Sequence, residues 1–140
     1  EVEKQLPHAV FTGGLGGEDL PRAVASMDVF CSTGELETFC QAVQEAKACG
    51  LPVISPRKGG PIDLIDPSRT GWLYEPGDMT DFRSRVVDLV GDDYKRHAMG
   101  IAARASIENR TWENLCAELV EHYKEAIRLA GRSTRIRAVL

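Results

Sequence analysis

The run from Glu37 to Ile54 leaves this chain few folds to choose from. Phe39, Ala42, Val43, Ala46 and Cys49 recur on a 3.6-residue period, which predicts a helix with one apolar stripe. Gly50 stands where a left-handed glycine ends a helix, and Pro52 keeps the helix from continuing. Val53-Ile54-Ser55 then reads as a short strand. Upstream, Asp28-Val29-Phe30-Cys31 reads as a buried strand, closed by the polar loop Ser32 to Glu37. Strand, loop, helix, turn and strand in that order is the repeating unit of a parallel sheet, because a crossover helix lets neighbouring strands run the same way. The helix therefore starts at the carboxyl end of a strand, where open α/β sheets bind ligands.

A helix beginning near Thr38 would turn free backbone N–H groups and the positive end of its dipole into that crevice, which suits a phosphate or diphosphate. Glu37, just before it, can accept hydrogen bonds from neutral hydroxyls. Glu45 follows eight residues later, about 12 Å along the axis if the whole interval is helical, at the flank of the apolar stripe. Two acceptor carboxylates with anion-binding amides between them match a ligand that has hydroxyls at both ends and a diphosphate in the middle. A nucleotide-sugar has that layout. On spacing alone, a helix-start glutamate favoured by the dipole and a solvated Glu45 is the favoured reading.

Glu37 to Glu45 resembles the E-x7-E motif of family-4 retaining glycosyltransferases, the large GT-B group that uses nucleoside-diphosphate sugars. The resemblance runs from about Phe11 to Asp78. It includes the Ser32-Thr33 loop, the exit Ala46 to Ile54, the run Gly59-Gly60-Pro61-Ile62-Asp63-Leu64-Ile65, and Thr70-Gly71-Trp72-Leu73. Asp63 stands where many members have Glu, and Cys40 where many have glycine. Glu-Thr-Phe-Cys-Gln and Gly-Gly-Pro-Ile-Asp-Leu look closest to actinobacterial GDP-mannose-dependent α-mannosyltransferases. The resemblance implies that Glu37 is the catalytic contact to the donor sugar's hydroxyls and that Glu45 holds the ribose. The backbone amides of Thr38, Phe39 and Cys40 would face sugar and phosphates, and Gly59 and Gly60 would let backbone approach the donor closely. A GDP- or UDP-type donor is implied, with no cofactor and no metal.

The remaining chain is consistent with one α/β domain. With 43% hydrophobic and 27% charged residues it is ordinary for a globular domain, and a net charge of −4 does not suggest nucleic acid as a partner. Cys31, Cys40, Cys49 and Cys116 have no metal-type spacing and read as reduced, mostly buried thiols in a cytoplasmic protein. Residues 1–6 read as the tail of a helix, and Ala9-Val10-Phe11 as a strand. Thr12 to Gly17 lacks dinucleotide-fingerprint spacing, and by resemblance Gly13 to Leu15 would lie near the nucleobase. Glu18 to Ser26 reads as a short helix with Leu20, Ala23 and Val24 inward. Arg57 and Lys58 read as a phosphate-facing or simply solvated pair. Pro61 opens a short helix, and Trp72-Leu73-Tyr74 is a last strand. Helices then follow: one carrying Phe82, Val86, Leu89 and Val90, one over Asp92 to Ala105, and one capped by Thr111 with the stripe Leu115, Cys116, Leu119, Val120, Tyr123 and Ile127. Arg128, Arg132, Arg135 and Arg137 fit contact with anionic lipid, contact with the other half of an enzyme, or a solvated end.

The expectation is thus a single three-layer, Rossmann-like domain over residues 1–140, with a parallel sheet of about four strands. It would be the carboxyl-terminal, donor-binding half of a GT-B hexosyltransferase without its first strand–helix unit. That unit and the amino-terminal acceptor domain would supply the diphosphate-neutralising Arg and Lys and the acceptor site. A glycolipid acceptor at the inner membrane face would be a partner, and this piece alone would be inactive. Two other functions compete. A non-catalytic receiver-like or nucleotide-recognition module would want an acidic cluster at the strand ends and a downstream lysine, which the glycine loop fits poorly. A GT-B sugar-nucleotide epimerase would share the fold and differ in its catalytic residues.

Overall fold

The structure, a computed structural model, describes residues 2–137, with side chains described for residues 3–131. Arg132, Arg135 and Arg137 of the basic tail lie outside the described side chains. The chain divides into a first unit ending at Ser106 and a second beginning at Ile107.

The first unit is a three-layer α/β arrangement around a parallel sheet. Its elements in order are α1 (Val2–Gln5), α2 (Asp19–Ala25), β1 (Phe30–Cys31), α3 (Gln41–Ala48), β2 (Val53–Pro56), α4 (Pro61–Leu64), β3 (Gly71–Tyr74), α5 (Met79–Val90) and α6 (Asp93–Ala105). The strand order is β1-β2-β3, all parallel, with Phe30 opposite Val53 and Ile54 opposite Trp72. Alternation along β2 splits the core in two. Val53 packs with Val43 and Ala46 of α3, with Val24, Ile65 and Leu73 on the same face. Ile54 packs on the other face with Tyr74, Leu89 and Met99, bordered by Phe82 and Val86.

Several elements end where their residues require. Gly50 has φ +80° just after α3, and a side chain on Gly100 of α6 would collide with the Gly50 carbonyl. Close backbone packing of α6 on the α3 turn therefore needs glycine there. Asp78 accepts from the Thr80 and Asp81 amides, and Asp92 from Lys95, capping α5 and α6.

Four expectations need correction. Residues 9–11 are outside every strand among the described residues, and Val10 is 87% exposed. So short a segment is not a strand without a hydrogen-bonded neighbour, and the sheet has three strands. The central helix starts at Gln41, not near Thr38, because Cys40 adopts the left-handed conformation with φ 54°. Its buried face is Cys40, Val43, Gln44, Ala46 and Lys47, while Phe39 and Ala42 are exposed and Cys49 is half-buried. Likewise Val24 alone of the three α2 residues is fully buried, with Leu20 exposed. Finally, of the four free thiols only Cys40 is buried; Cys31 and Cys116 are exposed. Cys31 lies on β1, Cys40 in the loop before α3, Cys49 just after α3 and Cys116 in the helix of the second unit, so they share no common face.

The second unit is a turn followed by α7 (Trp112–Arg137). Thr111 Oγ1 accepts from the Asn114 amide, as its capping role predicts. The apolar stripe exists, yet Leu119, Val120, Tyr123 and Ile127 stay exposed.

Candidate functional site

Three loops leave the carboxyl ends of the parallel strands: residues 32–40 after β1, 57–60 after β2 and 75–78 after β3. The first carries Glu37 and is held from several sides. The Gly60 amide donates to the Glu37 carbonyl at 2.8 Å. Gln44, buried on α3, reaches back to donate its Nε2 to the Phe39 carbonyl at 2.7 Å. Lys58 pairs with Glu35 at 3.1 Å across the two loops. Thus Lys58 neutralises a neighbouring carboxylate, while Arg57, whose amide donates to the Tyr74 carbonyl at 2.8 Å, keeps its side chain exposed.

The glycines have a more specific place than a flexible turn. A Cβ on Gly60 would lie 2.1 Å from the Thr38 carbonyl oxygen and 2.8 Å from Cys40 Sγ. One on Gly59, at φ +64°, would lie 2.6 Å from the Glu37 carbonyl oxygen. The close approach these glycines permit is to the backbone of the carboxylate loop. The Gly60 N–H is engaged there, so it can face a phosphate only by giving up that bond.

Glu37 itself is exposed, its side chain folded over Gly34. Thr38 and Phe39 lie in the loop and not in the helix, so only the amides of Gln41 to Val43 form the helix's first turn, with no side-chain cap from Cys40. Cys40 is buried, and burial, then the Glu37 charge, pushes its thiol pKa up. The thiol is therefore a packing group and not a ready nucleophile. Glu45 is half-buried one turn into α3, where its Oε1 accepts from Gln41 Nε2 at 3.0 Å. Residues 37–40 lie outside α3, so only about 6 Å of helical rise, from Gln41 to Glu45, remains of the interval expected for a continuous helix. On its other side Glu45 borders a cleft of about 290 Å³ whose walls are Leu20, Pro21, Val24, Ala48 and Cys49. Tyr74, at the end of β3, is buried with its pKa pushed up by burial and then by Glu35. It supports the loop floor edge-on to Phe82, with ring centroids 5.0 Å apart.

The structure thus brings Glu37, Thr38, Phe39, Cys40, Gly59 and Gly60 into one cluster and places Glu45 on the adjoining helix. A family model for glycosyl transferases group 1 matches residues 3–106. The chain belongs to that family. Among group 1 relatives, the GDP-mannose-dependent α-mannosyltransferase of Mycobacterium tuberculosis is 50% identical over 134 residues, covering 95% of this chain and 34% of its own length. That of Corynebacterium glutamicum is 44% identical over 131 residues, covering 94% and 32%. The chain therefore spans about a third of the curated relatives it matches, in their carboxyl-terminal part. Sucrose-phosphate synthase from Thermosynechococcus elongatus has the same fold over 91% of this chain and 34% of its own, with TM-score 0.80 and 22% identity. HepE of Anabaena, solved with UDP and glucose, does so over 88% and 34%, with TM-score 0.76 and 22% identity. This is the GT-B fold expected from the sequence.

Sequence reasoning missed Gln44, Lys47 and the Lys58–Glu35 pair. Lys47 is 2% exposed and its ammonium donates to the Leu64 carbonyl at the end of α4. A lysine or glutamine beside an apolar stripe ordinarily reads as solvated, and no local signal marks either as buried.

Proposed function

We propose that this chain is the donor-binding part of a retaining hexosyltransferase, an α-mannosyltransferase that uses GDP-mannose. The observation carrying the proposal is the pair of carboxylates on one loop–helix segment: Glu37 exposed on the loop after β1, held by backbone bonds, and Glu45 half-buried on α3 against an apolar cleft. The names of the relatives at 44% and 50% identity support the choice of sugar and nucleotide. Glu37 takes the sugar hydroxyls and Glu45 the ribose hydroxyls. The amides of Thr38, Phe39 and Cys40 and the first turn of α3 face the diphosphate, with Gly59 beside them. The hexosyl group passes to an acceptor hydroxyl, releasing nucleoside diphosphate and a proton.

The reading calls for no metal or cofactor, since charge developing on the departing diphosphate is met by oriented amides and by cations from residues outside this chain. The acceptor belongs to an amino-terminal domain. A glycolipid acceptor would place the enzyme on the cytoplasmic face of a membrane as a peripheral protein; no described helix is long and apolar enough to cross one. The test is transfer by the full-length protein carrying this chain, assayed with GDP-mannose and with UDP-hexoses. Turnover with GDP-mannose and anomeric retention in the product are expected. Turnover confined to UDP-sugars would overturn the choice of donor, and inversion the mechanism.

A further inference from the structure

Lys47 is buried in the first unit, on the same helix as Glu45 but on its protein-facing side. We propose that Lys47 is a positioning residue for the candidate site: it seats α4, and α4 in turn seats the loop that carries Glu37. The proposal rests on the donor-site reading above only for its catalytic consequence.

α4 has four residues, too few to hold a helical shape or direction by itself. Its first residue Pro61 and the following Ile65 are buried, and apolar burial fixes how deep the turn lies. Such burial is non-directional and leaves the turn free to rotate. Two hydrogen bonds supply the direction. At the front, the Gly60 amide meets the Glu37 carbonyl at 2.8 Å. At the back, the Lys47 ammonium meets the Leu64 carbonyl. α3 carries Lys47, so the carboxylate loop is referenced to the same rigid helix that presents Glu45. The distance between the two carboxylates is then set through α4 as well as through Cys40.

The front contact has little slack. A Cβ placed on Gly60 would lie 2.1 Å from the Thr38 oxygen, so the glycine backbone lies directly against the loop and a rotation of α4 must move either the loop or the turn. Charge-assisted bonds to a backbone carbonyl are among the stronger single ties a protein makes. Rotation of α4 in either direction lengthens the bond from Lys47 to the Leu64 carbonyl, so Lys47 resists it both ways.

The experiment uses the full-length protein with Lys47→Met, Gly60→Ala and the double variant. Methionine keeps the length and removes the ammonium. Amide hydrogen exchange at Gly60 reads the strut directly and does not depend on any reaction. Lys47→Met is expected to raise Gly60 exchange at least tenfold while exchange within β2 is unchanged. Transfer assays are expected to show kcat lowered ten- to a hundredfold, the scale of an ångström-sized misplacement, with affinity for GDP within twofold of the parent protein. Gly60→Ala should give the same split, and Lys47→Met should add little to it. Unchanged Gly60 exchange in Lys47→Met overturns the proposal, as does a proportional loss of kcat, GDP affinity and melting temperature. Glu37→Gln serves as the control for the underlying reading. If it transfers normally while Lys47→Met still loosens Gly60, the donor assignment of Glu37 is wrong and the strut stands.

Discussion

Cys40 is the residue at which local chemistry and fold disagree. Left-handed backbone costs a residue with a Cβ about 1 kcal/mol or more relative to glycine, and at φ 54° Cys40 bears that strain. It ends the loop and starts α3, so its conformation decides where the helix begins. Both Cys40→Gly and Cys40→Ala lose the buried thiol, but only glycine relieves the backbone. The glycine variant should be more stable than the alanine variant by about 1 kcal/mol in urea denaturation. A more stable alanine variant would mean the left-handed turn is absent in solution. Ser55 is a second local case. Its Oγ is the one buried side-chain polar atom without a hydrogen bond among the described residues. Removing an unsatisfied hydroxyl leaves nothing unpaired, so Ser55→Ala should raise stability by up to about 1 kcal/mol, seen as a higher melting temperature. A lower one would show that the hydroxyl has a partner.

At the scale of elements, α5 and α6 are tied to β3 by one polar cluster. Trp72 Nε1 donates to Asp88 Oδ2 at 2.9 Å, Lys95 pairs with Asp88 Oδ1 at 2.5 Å, and the Arg85 guanidinium lies 4.8 Å above the Trp72 ring. The Lys95 hydrogen bond, helped by the Trp72 bond and opposed by burial, lowers the Asp88 pKa. Its folded pKa is below its unfolded one, so the stabilisation is present above the ordinary carboxylate range, near pH 4. It is lost as pH falls through the folded value, because the unfolded chain binds the proton first. Asp88→Asn should therefore flatten the acid side of the stability–pH curve below about pH 4, measured by melting temperature. An unchanged acid slope would exclude this pair as a contributor. These helices were legible because Phe82, Val86 and Leu89 repeat on a helical period, as do Met99 and Ala102 in the next helix. The parallel order followed from the strand–helix–strand run around Gly50. The start of α3 was not legible, since the sequence shows a cysteine, not a glycine, at the left-handed position. Nor was the true inner face, because Gln44 and Lys47 are polar residues buried for bonds to distant carbonyls. Glu37 and Glu45 were singled out through their motif; the ties around their loop and helix depend on Phe39, Leu64 and Gly60, contacts that no local pattern encodes.

At the scale of the whole molecule, this chain corresponds to about a third of its relatives. GT-B transfer requires two halves closed on the donor to align the acceptor and exclude water. The 140-residue chain alone is accordingly expected to bind GDP only near the millimolar level, about −4 kcal/mol, and to show no turnover in a coupled diphosphate-release assay. Sustained release would mean the site is complete within these residues. In the proposed site Glu45 holds the nucleotide. Calorimetric titration of GDP into the full-length protein and its Glu45→Ala variant tests it most directly. Loss of charge-assisted bonds to ribose predicts weaker binding by about 1.5–3 kcal/mol, with an unchanged melting temperature in the absence of ligand. Equal affinity for GDP in the two proteins would contradict the account.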